Sequence, residues 1–223
     1  AASDVYKRQK WKEVGYRAVP SQNVISQQVQ PIRIVETIPA KALKKVNDTT
    51  YVFDFARNMS GVTRIKVSGE EGTVVRLKHG ERIYDNGRVN MSNIDVYHRP
   101  VDDKDPFQTD ILILSGKGED EFMARFNYKG FRYVEVTSSK PVALDQNSLT
   151  AYFVHSDVPQ KGEINTSNPL VNRLWWATNN AYLSNLMGYP TDCPQREKNG
   201  WTGDGHFAIE TALYNYDGIT VYE

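Results

Sequence analysis

In YVFDFARNM, residues 51–59, Tyr51, Phe53 and Phe55 alternate with Val52 and Asp54. A period of two is the mark of a strand whose faces meet different surroundings, and aromatic side chains suit a pleated, half-buried surface. The same chemistry recurs on both sides of this segment. VTRIKVSG (Val62, Ile65, Val67), GTVVRLKHGERIY, TDILILSG and FRYVEVTS are further runs rich in β-branched and aromatic residues. Turn formers separate them: residues 69–72 with two glycines, Asp85-Asn86-Gly87, residues 116–118 and Ser138-Ser139-Lys140-Pro141. From about Ile32 to Val154 strands follow one another without an intervening helix, which predicts a mainly β chain built on an antiparallel β-sandwich. Residues 90–108 read as a long polar loop.

Beyond Val158 the period changes. Asn168-Pro169 reads as an N-cap followed by proline at the first helical position. Leu170, Leu174, Ala177 and Ala181 then fall at helical spacing, and Val171, Trp175 and Tyr182 widen that stripe. Gly188-Tyr189-Pro190 closes this helix, a loop follows to Gly203, and a second helix is predicted from about Asp204 to Tyr216, closed by Asp217-Gly218. Two helices cannot enclose a core. The expectation is therefore a sandwich over residues 10–158 and the first helices of a second, interrupted domain over residues 159–223. The opening AASDVYKRQ, residues 1–9, reads as an adapter-derived, non-native segment, so the start of the chain carries no weight about an export signal or location.

With 27 basic and 27 acidic residues the formal net charge is zero, which argues against partners gripped through a basic excess, nucleic acid and acidic membranes among them. No run approaches the roughly 18 apolar residues of a membrane helix. The single cysteine, Cys193, excludes an internal disulfide and a CxxC metal knuckle. His79, His98 and His155 lack metal-ligand spacing, so no metal site is expected. Cys193 has no histidine placed to activate it and reads as a small buried residue.

The chemistry gathers in TDCPQREKNGWTGD, residues 191–204. This loop holds Asp192, Arg196, Glu197 and Asp204, the indole of Trp201, and Gly200 and Gly203. Sugar hydrolysis uses such an inventory. A carboxylic acid protonates the departing glycosidic oxygen, while further carboxylates and a guanidinium hold ring hydroxyls. An indole covers the C–H face of a pyranose. Composition alone fits a solvated loop equally well, with Asp192 capping a turn, Asp204 capping the next helix, Arg196 and Glu197 paired with neighbours, and Trp201 plugging the core.

The loop resembles the signature of bacterial α-L-rhamnosidases, an inverting family whose catalytic barrel opens with D-C-P-Q-R-[DE]…G-W-T-G-D. VFDFARNMSG, FNYKGFRYVEV and VHSDVPQKGEINTSNPLVNRLWW resemble three further segments of that family, in the same order. The resemblance implies an antiparallel β-sandwich followed by an (α/α)6 barrel, here truncated. It implies Glu197 as general acid, a role in which the carboxyl carries its proton, with Asp192, Arg196, Trp201 and Asp204 contacting the sugar. It also implies an L-rhamnose-containing glycan or glycoside as substrate and no cofactor. The second carboxylate, which in an inverting enzyme activates water roughly 6.5–9.5 Å from the acid, is implied to lie beyond this chain. Many relatives carry two acids after the arginine and one more residue before the tryptophan, whereas here Glu197 stands alone before Lys198-Asn199. His206 replaces a common glutamine and is expected on the helix surface or packed. Ala56-Arg57 replaces a usual Gly-Gln, a change expected to be structural. Two other readings compete: an inverting (α/α)6 hydrolase of another sugar, and a non-catalytic carbohydrate-binding sandwich.

Overall fold

The computed structural model describes residues 15–94 and 107–222. Residues 1–9, His98 and the part of the 90–108 loop between 95 and 106 lie outside the described residues. The described residues form ten strands: β1 (Ile32–Pro39), β2 (Ala42–Asn47), β3 (Thr50–Ser68), β4 (Val74–Gly80), β5 (Arg82–Ile83), β6 (Val89–Asn90), β7 (Thr109–Ile113), β8 (Glu119–Met123), β9 (Lys129–Ser138) and β10 (Leu149–Ser156). All the pairings are antiparallel, in the order β1-β10-β3-β9-β4-β7 with β2 and β8 added to β3, and β5 pairs with β6 apart from them.

The spine is β3. Residues 50–54 pair with β2 on one side and β9 on the other, while residues 61–68 pair with β10 and β8. The sheet therefore curls over itself, and the two halves of β3 feed one core. Phe53 and Phe55 meet Ile65 and Val67 from the same strand, Val75 and Leu77 from β4, Val134 and Val136 from β9, and Leu149 and Phe153 from β10. This is the sandwich interior expected from the alternation at residues 51–55. Val52 is not solvent-facing, however. It packs with Val89, Met91 and Ile94 in a second small cluster, so the start of the 90–108 loop contributes apolar cover.

YVFDFARNM and VTRIKVSG are parts of one strand, not two. The register on β9 shifts between Asp54 and Met59, and Ala56 has φ 59°. The Asp54 carboxylate accepts the Ala56 N–H at 2.6 Å, which stabilises the bulge. Alanine in the left-handed region costs roughly 1–2 kcal/mol, a cost glycine escapes. Arg57, displayed by the same bulge, donates to Asn180 Oδ1 at 2.6 Å, pairs with Glu36 and lies over the Phe153 ring with its guanidinium carbon 4.4 Å from the centroid. The Ala56-Arg57 departure is thus structural: it ties the sheet to the first helix.

The helices are α1 (Pro169–Ser184), α2 (Thr202–Asn215) and the short α3 (Ile219–Tyr222). Asn168 caps α1, its side chain accepting from Leu170 N–H at 2.9 Å with proline just behind it. The helix stops at Ser184, ahead of Gly188, because Asn185 turns out of the helix, and α2 begins two residues before Asp204. Only part of the predicted stripe is buried. Leu170 and Leu174 are 53% and 59% exposed, whereas Asn179, Tyr182 and Ser184 are buried. Leu170, Leu174, Ala177 and Ala181 stay exposed, whereas Trp175 and Tyr182 of the same stripe meet Asn215 and Tyr216. What the helices do bury is a small cluster of Val158, Tyr182, Leu186, Ala212 and Tyr216, with the Tyr182 and Tyr216 rings stacked at 5.6 Å. Trp175 Nε1–H donates to Asn215 Oδ1 at 3.0 Å and links α1 to α2, while Trp176 stays half exposed.

Candidate active site

The loop between α1 and α2 is closed by its own side chains. Thr191 N–H donates to the Asn185 carbonyl at 2.7 Å, continuing the cap of α1. Asp192 then joins the two ends of the loop: its N–H donates to the Asn199 carbonyl at 3.0 Å, and its Oδ1 accepts the Asn199 N–H at 2.8 Å. The other oxygen, Oδ2, accepts from the Cys193 thiol at 2.8 Å. Cys193 Sγ in turn accepts the Glu197 N–H at 3.2 Å. Burial and the neighbouring Asp192 push the thiol pKa up, which holds Sγ in the protonated form that can donate. Cys193 is partly buried rather than fully buried as expected, and its polarity organises the loop.

Glu197 sits at the exposed rim. Its Oε2 accepts the Trp201 indole N–H at 3.0 Å, and Oε1 pairs with Arg196 at 3.2 Å. Trp201 is 52% exposed, so it is no core plug. It occupies the N-cap position of α2 without a side-chain capping bond, and Asp204 lies in the first helical turn with its side chain open to solvent. The capping reading of Asp204 thus gives way, while that of Asp192 holds alongside any other role.

The five candidate residues form two neighbouring groups. Arg196, Glu197 and Trp201 make one contiguous cluster. Asp192 and Asp204 line a cleft of about 260 Å³ between α1 and α2, together with Asn185, Thr191 and Phe207. A carboxyl held by an indole on one side, beside a cleft walled by two further carboxylates, has the elements needed to grip hydroxyls and deliver a proton. His206 is exposed, its ring 5.8 Å from that of Phe207, as expected for a surface position. His155 is buried edge-on to Phe153 and bonds the Ser156 carbonyl, while Asp157 pairs with Arg33. Among the described residues no group of three or more His, Cys, Asp or Glu side chains is placed to hold a metal ion.

Sequence reasoning passed over what holds the loop from behind. The turn into β9 supplies the floor. Lys198, with φ 57°, donates from Nζ to the Tyr128 carbonyl at 2.6 Å and to Asn127 Oδ1 at 3.1 Å, and lies 4.2 Å from the centre of the Tyr128 ring. Burial, with Lys129 adding to it, lowers the Lys198 ammonium to about 8, and burial pushes the Tyr128 phenol up to about 12. Gln195 donates to Glu81 at 3.2 Å. Gly130 presses on the loop so closely that an added Cβ would stand 2.7 Å from Gln195 Cβ. The local signal was the glycine in NYKGF, uninformative without its partner more than sixty residues away.

Both segments of the chain match known protein families. Residues 44–155 match the bacterial alpha-L-rhamnosidase concanavalin-like domain, and residues 159–223 match the bacterial alpha-L-rhamnosidase 6 hairpin glycosidase domain. The alpha-L-rhamnosidase of Streptomyces avermitilis is 34% identical over 89% of this chain, and one from Formosa agariphila is 29% identical over 98%. The chain spans only 18% and 22% of those two proteins. Among solved structures, alpha-L-rhamnosidase from Dictyoglumus thermophilum superposes with a TM-score of 0.78 at 37% identity, over 88% of this chain and 21% of its own. The Streptomyces avermitilis alpha-L-rhamnosidase complexed with L-rhamnose gives 0.78 at 33% identity, over 89% of this chain and 18% of its own. With both segments matched in order and the sandwich and helices superposing on solved members, the chain belongs to the bacterial alpha-L-rhamnosidase family.

Proposed function

We propose that this chain is the part of an inverting α-L-rhamnosidase that carries the general acid, and that Glu197 is that acid. The observation that supports this most is the setting of its carboxyl: exposed at a loop rim, oriented by the Trp201 indole and Arg196, and next to a cleft walled by Asp192 and Asp204. In this reading the terminal L-rhamnose enters the cleft, Asp192, Arg196 and Asp204 accept from or donate to its hydroxyls, and Trp201 covers its C–H face. Glu197 gives its proton to the glycosidic oxygen as the bond to the anomeric carbon breaks, and a water enters from the opposite face. The carboxylate that activates this water is supplied from outside these 223 residues. We assign residues 10–158 to the sandwich and its lead-in, and residues 159–223 to the opening of the catalytic barrel.

The test is a panel of aryl glycosides of several sugars offered to a full-length hydrolase carrying this chain. Fastest turnover of the α-L-rhamnoside is expected, and faster turnover of another sugar removes the specificity. The 223-residue chain alone is expected to release no rhamnose, since it supplies one half of the acid–base pair. Turnover by the isolated chain contradicts that assignment.

A further inference from the structure

On the side of the loop facing the sandwich, a cavity of about 620 Å³ opens between the β1–β10 edge, the turn after β8, and the segment from Met187 to Lys198. Its size falls within the range of small-molecule sites, about 300–1,000 Å³. The wall has a distinct chemistry. Its floor is aliphatic, with Ile34, Val62 and Val154 from three strands. Three aromatic rings, Phe126, Tyr128 and Tyr189, stand around it, and Phe126 is 100% exposed. Among the described residues three cations line it, Arg33, Arg125 and Lys198, and no carboxylate does. Arg33 is engaged by Asp157 at 3.3 Å, and Lys198 by the Tyr128 carbonyl. Arg125 has no ion pair among the described residues.

Among the described residues Phe126 stands fully exposed beside the Arg125 guanidinium. Together they have the chemistry to hold a ring that is apolar on its face and anionic at its edge. Aromatic faces stack on the C–H face of a pyranose, and the planar fork of arginine matches a carboxylate with two parallel hydrogen bonds. We infer that this cavity is a second carbohydrate subsite, separate from the Asp192–Asp204 cleft, and that it takes an acidic sugar, a pyranose bearing a carboxylate. Arg125 binds the carboxylate and Phe126 covers the ring. A neutral sugar would leave the Arg125 charge unanswered. The choice of a sugar over other ring acids rests on the proposed glycosidase reading.

The experiment uses the 223-residue chain with methyl β-D-glucuronide, methyl β-D-glucoside and benzoate as probes, followed by amide chemical-shift changes. Saturable shifts around residues 123–128 are expected with the glucuronide. Binding of the glucoside should be at least about tenfold weaker, the discrimination expected from one charge-assisted pair, and benzoate weaker than the glucuronide. Arg125→Ala should erase the preference for glucuronide over glucoside, and Phe126→Ala should weaken both sugars. Both side chains are exposed, so neither change threatens the fold. Equal binding of the two sugars, stronger binding of benzoate, or no saturable shift overturns the inference. Glu197 does not line this cavity, so Glu197→Gln must leave glucuronide binding unchanged; loss of this subsite and loss of the catalytic assignment are therefore read separately.

Discussion

Replacing Gly130 by alanine measures how rigidly the sandwich supports the loop that bears Glu197. Gly130 cannot retreat. It is paired with Ser60 in the β3–β9 ladder, and the buried Gln108 amide bonds it on both sides, donating to its carbonyl at 2.7 Å and accepting its N–H at 3.3 Å. An added Cβ would lie 2.7 Å from Gln195 Cβ, 2.9 Å from the Gln195 backbone nitrogen and 3.0 Å from Pro194 Cγ. Carbon contacts are comfortable at about 3.5–4.0 Å, so the loop backbone has to lift by roughly an ångström. It resists through Lys198 on the Tyr128 carbonyl and Gln195 on Glu81. Overpacking of this kind costs about 1–3 kcal/mol, which for a chain of this length lowers Tm by about 2–12 °C. Calorimetry should show that drop, and hydrogen exchange at the Asn199 amide, which Asp192 holds, should accelerate. Gly205→Ala is the control: a Cβ there meets nothing within 4 Å, and the helix gains propensity. Unchanged Tm and unchanged Asn199 exchange in Gly130→Ala would refute the claim that sandwich and loop are mechanically joined.

Two further changes probe the sandwich itself. Ala56→Gly relieves the left-handed backbone at φ 59° and should stabilise the chain by about 0.5–1 kcal/mol in urea unfolding; a destabilised variant contradicts the account of the bulge. His79 is fully buried between Thr63 and the Gln108 carbonyl, and desolvation depresses it from 6.5 to about 4. Above pH 6.5 it is neutral in both states. As the pH falls toward 4 the unfolded chain takes a proton that the folded chain refuses, so stability falls by about 3 kcal/mol across that window. His155, also lowered by burial, acts in the same direction. His79→Gln should flatten the slope of urea midpoint against pH between 6.5 and 4, and an unaltered slope rules His79 out as its source.

How much of this was legible in the sequence follows from the range of each interaction. The alternation of Tyr51, Phe53 and Phe55, and the Asn168-Pro169 start of α1, are local patterns that encode local geometry, and the structure reproduces them. The continuity of β3 was hidden because the bulge at Ala56 interrupts the period at the point where the strand bends. The stripe begun by Leu170 and Leu174 is exposed at those two residues, because periodicity names a face without naming what covers it. At the candidate site the residue types of the loop were readable, but that Arg196 and Glu197 pair with each other was not. The roles of Lys198, Gln195 and Gly130 were not, because each depends on contact between segments far apart in the chain. The thiol bridging Asp192 and the Glu197 amide was missed for a different reason: cysteine in a polar loop carries no periodic signal.

The central claim is that Glu197 protonates the leaving group. Its most direct test is Glu197→Gln in a full-length hydrolase carrying this chain, with rhamnosides that differ only in leaving group. For a sugar or alkyl alcohol, which leaves only with a proton, kcat/KM should fall by about 10²–10⁴. For a dinitrophenolate, which leaves without one, it should stay close to wild type. An equal loss on both substrates, or no loss on either, would contradict the assignment of Glu197 as the acid.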